Sequence, residues 1–141
     1  LSGSVARETG QPLPGDDGLH TRLLVRRSEG LHGAGAGAAW MHLPLDLAPG
    51  LPLTPTTHLA AVADFANGLA QRRLETPEGR FGFINADISL HLMRAPAVTE
   101  IGMVARNEAS RRGRALVSAE CYDAEGMVAR VTQTALAVKA G

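Results

Sequence analysis

Residues 81–94, FGFINADISLHLMR, alternate in character: Ile84, Ala86, Ile88, Leu90 and Leu92 fall in one phase, Asn85, Asp87, Ser89 and His91 in the other. A period of two predicts a long strand with one buried face. TEIGMVARNE, ALVSAECY and MVARVTQTALAV read as three further strands. SRRGR and DAEG are the turns between them, the second short enough for a hairpin.

Ahead of this block, THLAAVADFANGLAQ changes period. Leu59, Val62, Ala63, Ala66, Leu69 and Ala70 recur at spacings of three and four, which predicts a helix over about residues 57–73 with one apolar stripe. Thr56 or Thr57 is its expected N-cap. Upstream, LHTRLLVRR and AAWMHLPL read as short strands, the second ending at Pro44, with EGLHGAGAG between them as a flexible loop. DLAPGLPLTPTT is too rich in proline for a regular element. Residues 1–18 read as a flexible tail or linker, and residues 19–141 as a single domain. Strands in succession after one helix predict an α+β fold, an antiparallel sheet curved around the helix.

Two polar residues do not fit this pattern. Asp64 lies nearly opposite the apolar stripe, where its companions are Ala60, Asn67, Gly68 and Gln71 rather than lysine, arginine or glutamate. Small neutral residues on a helix face suggest close approach by another backbone. Both faces of the helix are therefore expected to be covered, with Asp64 directed into an interface or cleft. In the last strand Gln133 is in phase with Met127, Ala129, Val131, Ala135 and Ala137, whereas Arg130, Thr132 and Thr134 share the other side. An amide on an apolar face needs partners, because desolvating it alone costs a few kcal/mol. It is either bonded to backbone or meets Asp64 across a cleft.

Composition narrows the classes. The 141 residues suffice for one ordinary domain. Fourteen basic and fourteen acidic side chains leave no net charge, so nothing favours nucleic acid or a membrane surface as partner. No apolar run approaches the roughly 20 residues a spanning helix needs. Cys121 is the sole cysteine, which excludes an intrachain disulfide and fits a reducing, cytoplasmic location. The chain begins at Leu1 rather than methionine, so the lack of a signal peptide carries little weight.

Other motifs carry little. Gly33, Gly35 and Gly37 are not followed by the helix a dinucleotide loop requires. His20, His32, His42, His58 and His91 form no ligand spacing, so no metal site is expected, and each reads as a surface or half-buried histidine. Cys121 has no basic neighbour and reads as a packed small residue rather than a nucleophile. Arg111, Arg112 and Arg114 read as a solvated turn.

ADFANG on a helix, then FINADISLHLMRAP, then YDAEGMVARVTQTALAV together resemble the C-terminal hotdog repeat of the acyl-CoA thioesterase II-like proteins, over roughly residues 38–139. The resemblance implies a hotdog fold, a curved antiparallel sheet wrapped around one long central helix. It implies hydrolysis of acyl-CoA, in fatty acid metabolism, by a water that a helix aspartate, a polar residue at the start of the long strand and a late glutamine handle together. Carried over by motif, these are Asp64, Asn85 and Gln133. Asn85 stands where the family has threonine, and Ile101 follows Glu100 where the family usually has tryptophan. No cofactor or metal is implied, CoA being part of the substrate.

Relatives of this type often join two hotdog repeats in one chain, and one is present here. The unit covering the helix would come from a second copy, giving a homodimer or higher assembly, or from an N-terminal half. Arg72, Arg73, Arg111 and Arg112 are candidates to meet CoA phosphates. Two alternatives remain open: a non-catalytic acyl-binding or assembly module (or one half of a tandem enzyme), and a hotdog hydratase or dehydratase. The latter resembles this fold but pairs the helix aspartate with a histidine five residues on, where this chain has Leu69.

Overall fold

The alternating segments form one antiparallel sheet that curls around a short helical core. The computed structural model describes residues 11–12, 17–29, 35–70 and 74–139. The chain enters through β1 (Gln11–Pro12), a single-turn helix α1 (Leu19–Arg22), β2 (Leu24–Glu29) and β3 (Ala36–His42). LHTRLLVRR is thus one helical turn followed by a strand. Most of the expected tail, residues 1–18, lies outside the described residues, and within it Gln11–Pro12 pairs with Leu24–Val25.

The expectation of no regular element between Asp46 and Thr57 is corrected. β4 (Asp46–Ala48) and β5 (Leu51–Pro52) make a small hairpin. Gly50 turns it at φ 75, a left-handed conformation that glycine adopts without steric cost. The first main helix, α2 (Pro55–Ala63), starts two residues earlier than expected. Thr54 is its N-cap, and its hydroxyl accepts the Thr57 N–H at 3.2 Å. Pro55 suits the first helical position, where its missing N–H would have had no helical partner.

The helix is also not the uninterrupted run of residues 57–73. α2 stops at Ala63, Asp64 and Phe65 form a turn, and α3 (Ala66–Leu69) resumes. Gln71, Arg72 and Arg73 lie outside the described residues. The helical pair buries His58, Leu59, Val62, Ala63 and Ala66 against Met41, Ile101, Met103, Val117 and Val131 of the sheet.

Beyond the helices come β6 (Leu74–Thr76), β7 (Gly79–Leu92), β8 (Ile101–Arg111), β9 (Arg114–Asp123) and β10 (Gly126–Lys139). The sheet order is β1-β2-β3-β8-β9-β10-β7-β6, and its pairs are antiparallel. The β8–β9 turn uses Arg112 at φ 50 and Gly113 at φ 74. Gly37, expected in a loop, belongs to β3. A Cβ there would lie 2.7 Å from the Leu69 carbonyl oxygen, so glycine is what lets α3 rest on β3.

β7 departs from its simple alternation. It pairs Gln133 with Ile88 and Thr134 with Asp87, but then Ala135 with Asn85, so Ala86 is an extra residue. Such a bulge shifts the phase of the side chains. Upstream of it Asn85 and Phe83 share the core side with buried Ala135, while Ile84 is turned outward opposite Leu136. Asn85 therefore reaches the helix, although strict alternation assigns it to the polar side. Where β7 leaves the sheet, Arg94 clamps buried Asp123 with two hydrogen bonds at 2.9 and 2.5 Å. That guanidinium holds the Asp123 carboxyl well below the usual carboxylate range.

Candidate functional site

The last carbonyls of a helix lack intrahelical donors and must find others. At the end of α2 two side-chain amides supply them. Gln133 Nε2, from β10, donates to the Ala63 carbonyl at 2.8 Å and lies 3.4 Å from that of Asp64. Asn85 Nδ2, from β7, donates to the Asp64 carbonyl at 2.8 Å and to the Asp64 carboxylate Oδ1 at 2.9 Å. The sequence singled out these three residues, and they meet at the helix break. Gln133 reaches the backbone of Asp64 rather than its carboxylate.

These bonds fix how each amide is oriented. A carbonyl accepts only, so the nitrogens of Asn85 and Gln133 must face the helix end. Their oxygens, Asn85 Oδ1 and Gln133 Oε1, are buried and have no hydrogen-bond partner among the described residues. Gln133 is 1% exposed, so its amide oxygen is an unsatisfied acceptor in an apolar setting, a costly state without a donor. Asp64 itself is exposed, as are Ala60 and Gly68, spaced by four along the chain. The face expected to be covered is open within this chain.

Two supporting residues escaped the sequence reading. Asn67 is buried and donates to the Phe83 carbonyl at 2.9 Å, tying α3 to β7 beside Asn85. Its place three residues after Asp64 was the available signal. His58, expected at or near the surface, is fully buried. Its Nε2 accepts the Leu43 N–H at 2.8 Å, and its ring stacks on His42 with centroids 5.4 Å apart. Burial, reinforced by His42, pushes the His58 imidazole down to about 4. An accepting nitrogen and a low pKa both describe a neutral structural imidazole that pins the chain just after β3 to α2.

Cys121 is buried, and desolvation pushes its thiol up to about 12, the opposite of what a nucleophile needs. Arg111, Arg112 and Arg114 are exposed at the β8–β9 turn, while Arg72 and Arg73 lie outside the described residues. Among the described residues no cluster of histidine, cysteine or carboxylate side chains could hold a metal ion. No described helix is long and apolar enough to cross a membrane.

The sequence matches the family described as acyl-CoA thioesterase C-terminal domain over residues 5–137. No curated protein matches it. Solved structures of low identity share the fold. An acyl-CoA thioesterase II from Mycobacterium marinum is 20% identical with a TM-score of 0.59, covering 100% of this chain and 60% of its own. A thioesterase family protein from Silicibacter pomeroyi is 17% identical with a TM-score of 0.59, covering 82% of this chain and 85% of its own. A Streptococcus mutans protein bound to acetyl CoA is 12% identical with a TM-score of 0.58, covering 82% and 89%.

Proposed function

The chain belongs to the family of acyl-CoA thioesterase C-terminal domains, and from that premise we propose that it hydrolyses an acyl-thioester, acyl-CoA in the first instance, through a water activated by Asp64. The observation that carries this reading is the hydrogen bond from Asn85 to the Asp64 carboxylate beside the buried amide of Gln133. By engaging Oδ1, Asn85 leaves Oδ2 to take a proton from a water. That water attacks the thioester carbonyl carbon, and the tetrahedral intermediate collapses with expulsion of the thiolate. The proton held by Asp64 passes to the thiolate, giving free acid and thiol. Gln133 Oε1, a buried acceptor without a partner among the described residues, would take a second hydrogen bond from a water admitted beside Asp64. Positioned base catalysis of this kind contributes about 10²–10⁴-fold.

The test is thioester turnover by Asp64→Asn, followed by release of free thiol. A fall of about a hundredfold or more is expected, and activity near wild type sinks the role of Asp64 as base.

A second hotdog unit completes the site in this reading. β6 pairs with β7 only through Gly79, Arg80 and Phe81. From Gly82 to Leu92 that edge of β7 has no partner among the described residues. It passes Asn85 and carries exposed Ile84, Ile88 and Leu92 (53%, 41% and 47% exposed). A long unpaired edge of this kind is a template for pairing with another strand. A second copy, joined in a cytoplasmic homodimer, would cover the Asp64 face.

One observation favours a different reading. Both amides bond to backbone carbonyls, which is also what a purely structural helix cap would do. An acyl-binding module without turnover would retain those bonds. Measuring both binding and hydrolysis across acyl-CoA chain lengths separates the two.

A further inference from the structure

We propose that Ile88 is a specificity-determining residue: the acyl chain of the substrate leaves Asp64 along the helix-facing side of β7 toward Leu92, and Ile88 is the wall that selects its length. This rests on the thioesterase reading above.

Directly paired residues of an antiparallel ladder project from the same face of the sheet. Ile88 pairs with Gln133, Leu90 with Val131 and Leu92 with Ala129. Gln133 reaches the Ala63 carbonyl of α2 at 2.8 Å, and Val131 and Ala129 are buried in the core, so this is the helix-facing side. Ile84, paired with Leu136, belongs to the other side. On the helix-facing side Met103, Val117 and Val131 of β8, β9 and β10 are fully buried. Leu90 packs against that core, yet Ile88 and Leu92 are exposed. The helix therefore covers the middle of the sheet and leaves an aliphatic strip of β7 open beside it.

Where the strip begins identifies its occupant. Asn85 bonds to Asp64, Asn67 to Phe83, and Gln133, the partner of Ile88, to Ala63. The helical segment thus runs antiparallel to β7, so moving from Asn85 toward Leu92 means moving back along α2 from Asp64 to Ala60. Ala60 is small and exposed. The ladder step from Ala135 to Gln133 is about 7 Å, and the helical turn from Asp64 to Ala60 about 6 Å. Ile88 and Ala60 accordingly flank the same way out of the Asp64 site.

The two directions along this face differ in chemistry. Toward Leu92 it presents Ile88, Leu90 and Leu92. The other way it presents Phe83, Phe81 and then exposed Lys139, the partner of Phe81. An acyl-CoA has an apolar acyl end and a phosphate-bearing carrier end. Aliphatic side chains suit the first and a cation the second. The acyl chain therefore takes the Ile88 side. Ile88 stands about one ladder step from the reacting carbonyl, beyond an acetyl group and within reach of a long chain.

The experiment measures kcat/KM for acetyl-CoA and dodecanoyl-CoA in wild type, Ile88→Trp and Ile88→Ser. Tryptophan narrows the path, and serine removes its apolar wall without adding bulk. The dodecanoyl-to-acetyl ratio should fall by about tenfold or more in the first and about threefold or more in the second. An unchanged ratio overturns the proposal. So does an equal loss on both substrates, which a disturbed sheet or a second copy seated on Ile88 would produce. A readout free of turnover is binding of the same two acyl-CoAs by calorimetry to Asp64→Asn, with and without Ile88→Trp. There Kd for dodecanoyl-CoA should rise about tenfold relative to that for acetyl-CoA. If wild type hydrolyses neither substrate while this rise is seen, the thioesterase reading alone fails. If wild type hydrolyses both and the Kd ratio is unchanged, the Ile88 proposal alone fails.

Discussion

Asn85 holds Asp64 at two points, donating one amide nitrogen to its carboxylate at 2.9 Å and to its backbone carbonyl at 2.8 Å. The two bonds differ in consequence. The carbonyl bond satisfies the helix end, while the carboxylate bond selects which oxygen faces outward.

Asn85→Ala removes both. The expected outcome is a loss of about tenfold to a hundredfold in kcat, with stability reduced by about 1 kcal/mol, since this bond is partly solvated. Asn85→Thr restores a hydroxyl donor and should recover part of kcat. Steady-state kinetics beside urea unfolding checks both. If Asn85→Thr is no more active than Asn85→Ala, a donor at this position is not what matters.

Gly37→Ala tests the contact that seats the helix. The added methyl would lie 2.7 Å from the Leu69 carbonyl oxygen, a backbone atom that cannot rotate away. Overpacking of this type costs about 1–3 kcal/mol. Thermal unfolding should show the loss. An unchanged melting temperature would mean that α3 shifts freely on β3, contrary to the packing described.

How far the site could be read from sequence turns on the same elements. Asp64 and Gln133 stood out because each breaks the periodicity of its own element. That signal is local and needs no fold. The β8–β9 and β9–β10 turns were legible for the same reason, in Gly113 and Gly126. The helix interruption was not. No proline or glycine marks residues 64 and 65, and the amides that take up its carbonyls come from 21 and 70 positions away. The phase shift at Ala86 is likewise invisible, because a bulge depends on the register with β10 and not on the strand's own pattern. His58 was misjudged because its acceptor role depends on the Leu43 N–H, 15 positions distant.

His58 gives the fold a pH dependence. Its imidazole titrates near 6.5 when unfolded and near 4 when folded. Below 6.5 the unfolded chain gains a proton that the folded chain does not take up. Stability therefore falls as pH drops from about 6.5 to 4, by roughly 3 kcal/mol at full development, and is level above that window. His58→Gln removes the titrating group while keeping a polar side chain. Urea midpoints between pH 7 and 4 should decline more steeply for wild type than for this variant. Parallel declines would assign the slope to other groups.

The free edge of β7 yields the last prediction. Ile84 and Leu92 are about half exposed and lie where β7 has no neighbour on one side. Lysine on such an edge opposes strand pairing, because a charge cannot be desolvated there without a partner. Ile84 is turned away from the core, and Leu92, on the core-side phase, is the last residue of β7 and 47% exposed, so the double variant Ile84→Lys/Leu92→Lys should keep its fold by circular dichroism. Sedimentation should show it monomeric where wild type is paired. If the second unit covers the Asp64 face, thioester turnover should fall with the loss of pairing and recover in part at high protein concentration. Full activity in a monomeric variant would show that one chain suffices, leaving the small-residue face of the helix to the substrate alone.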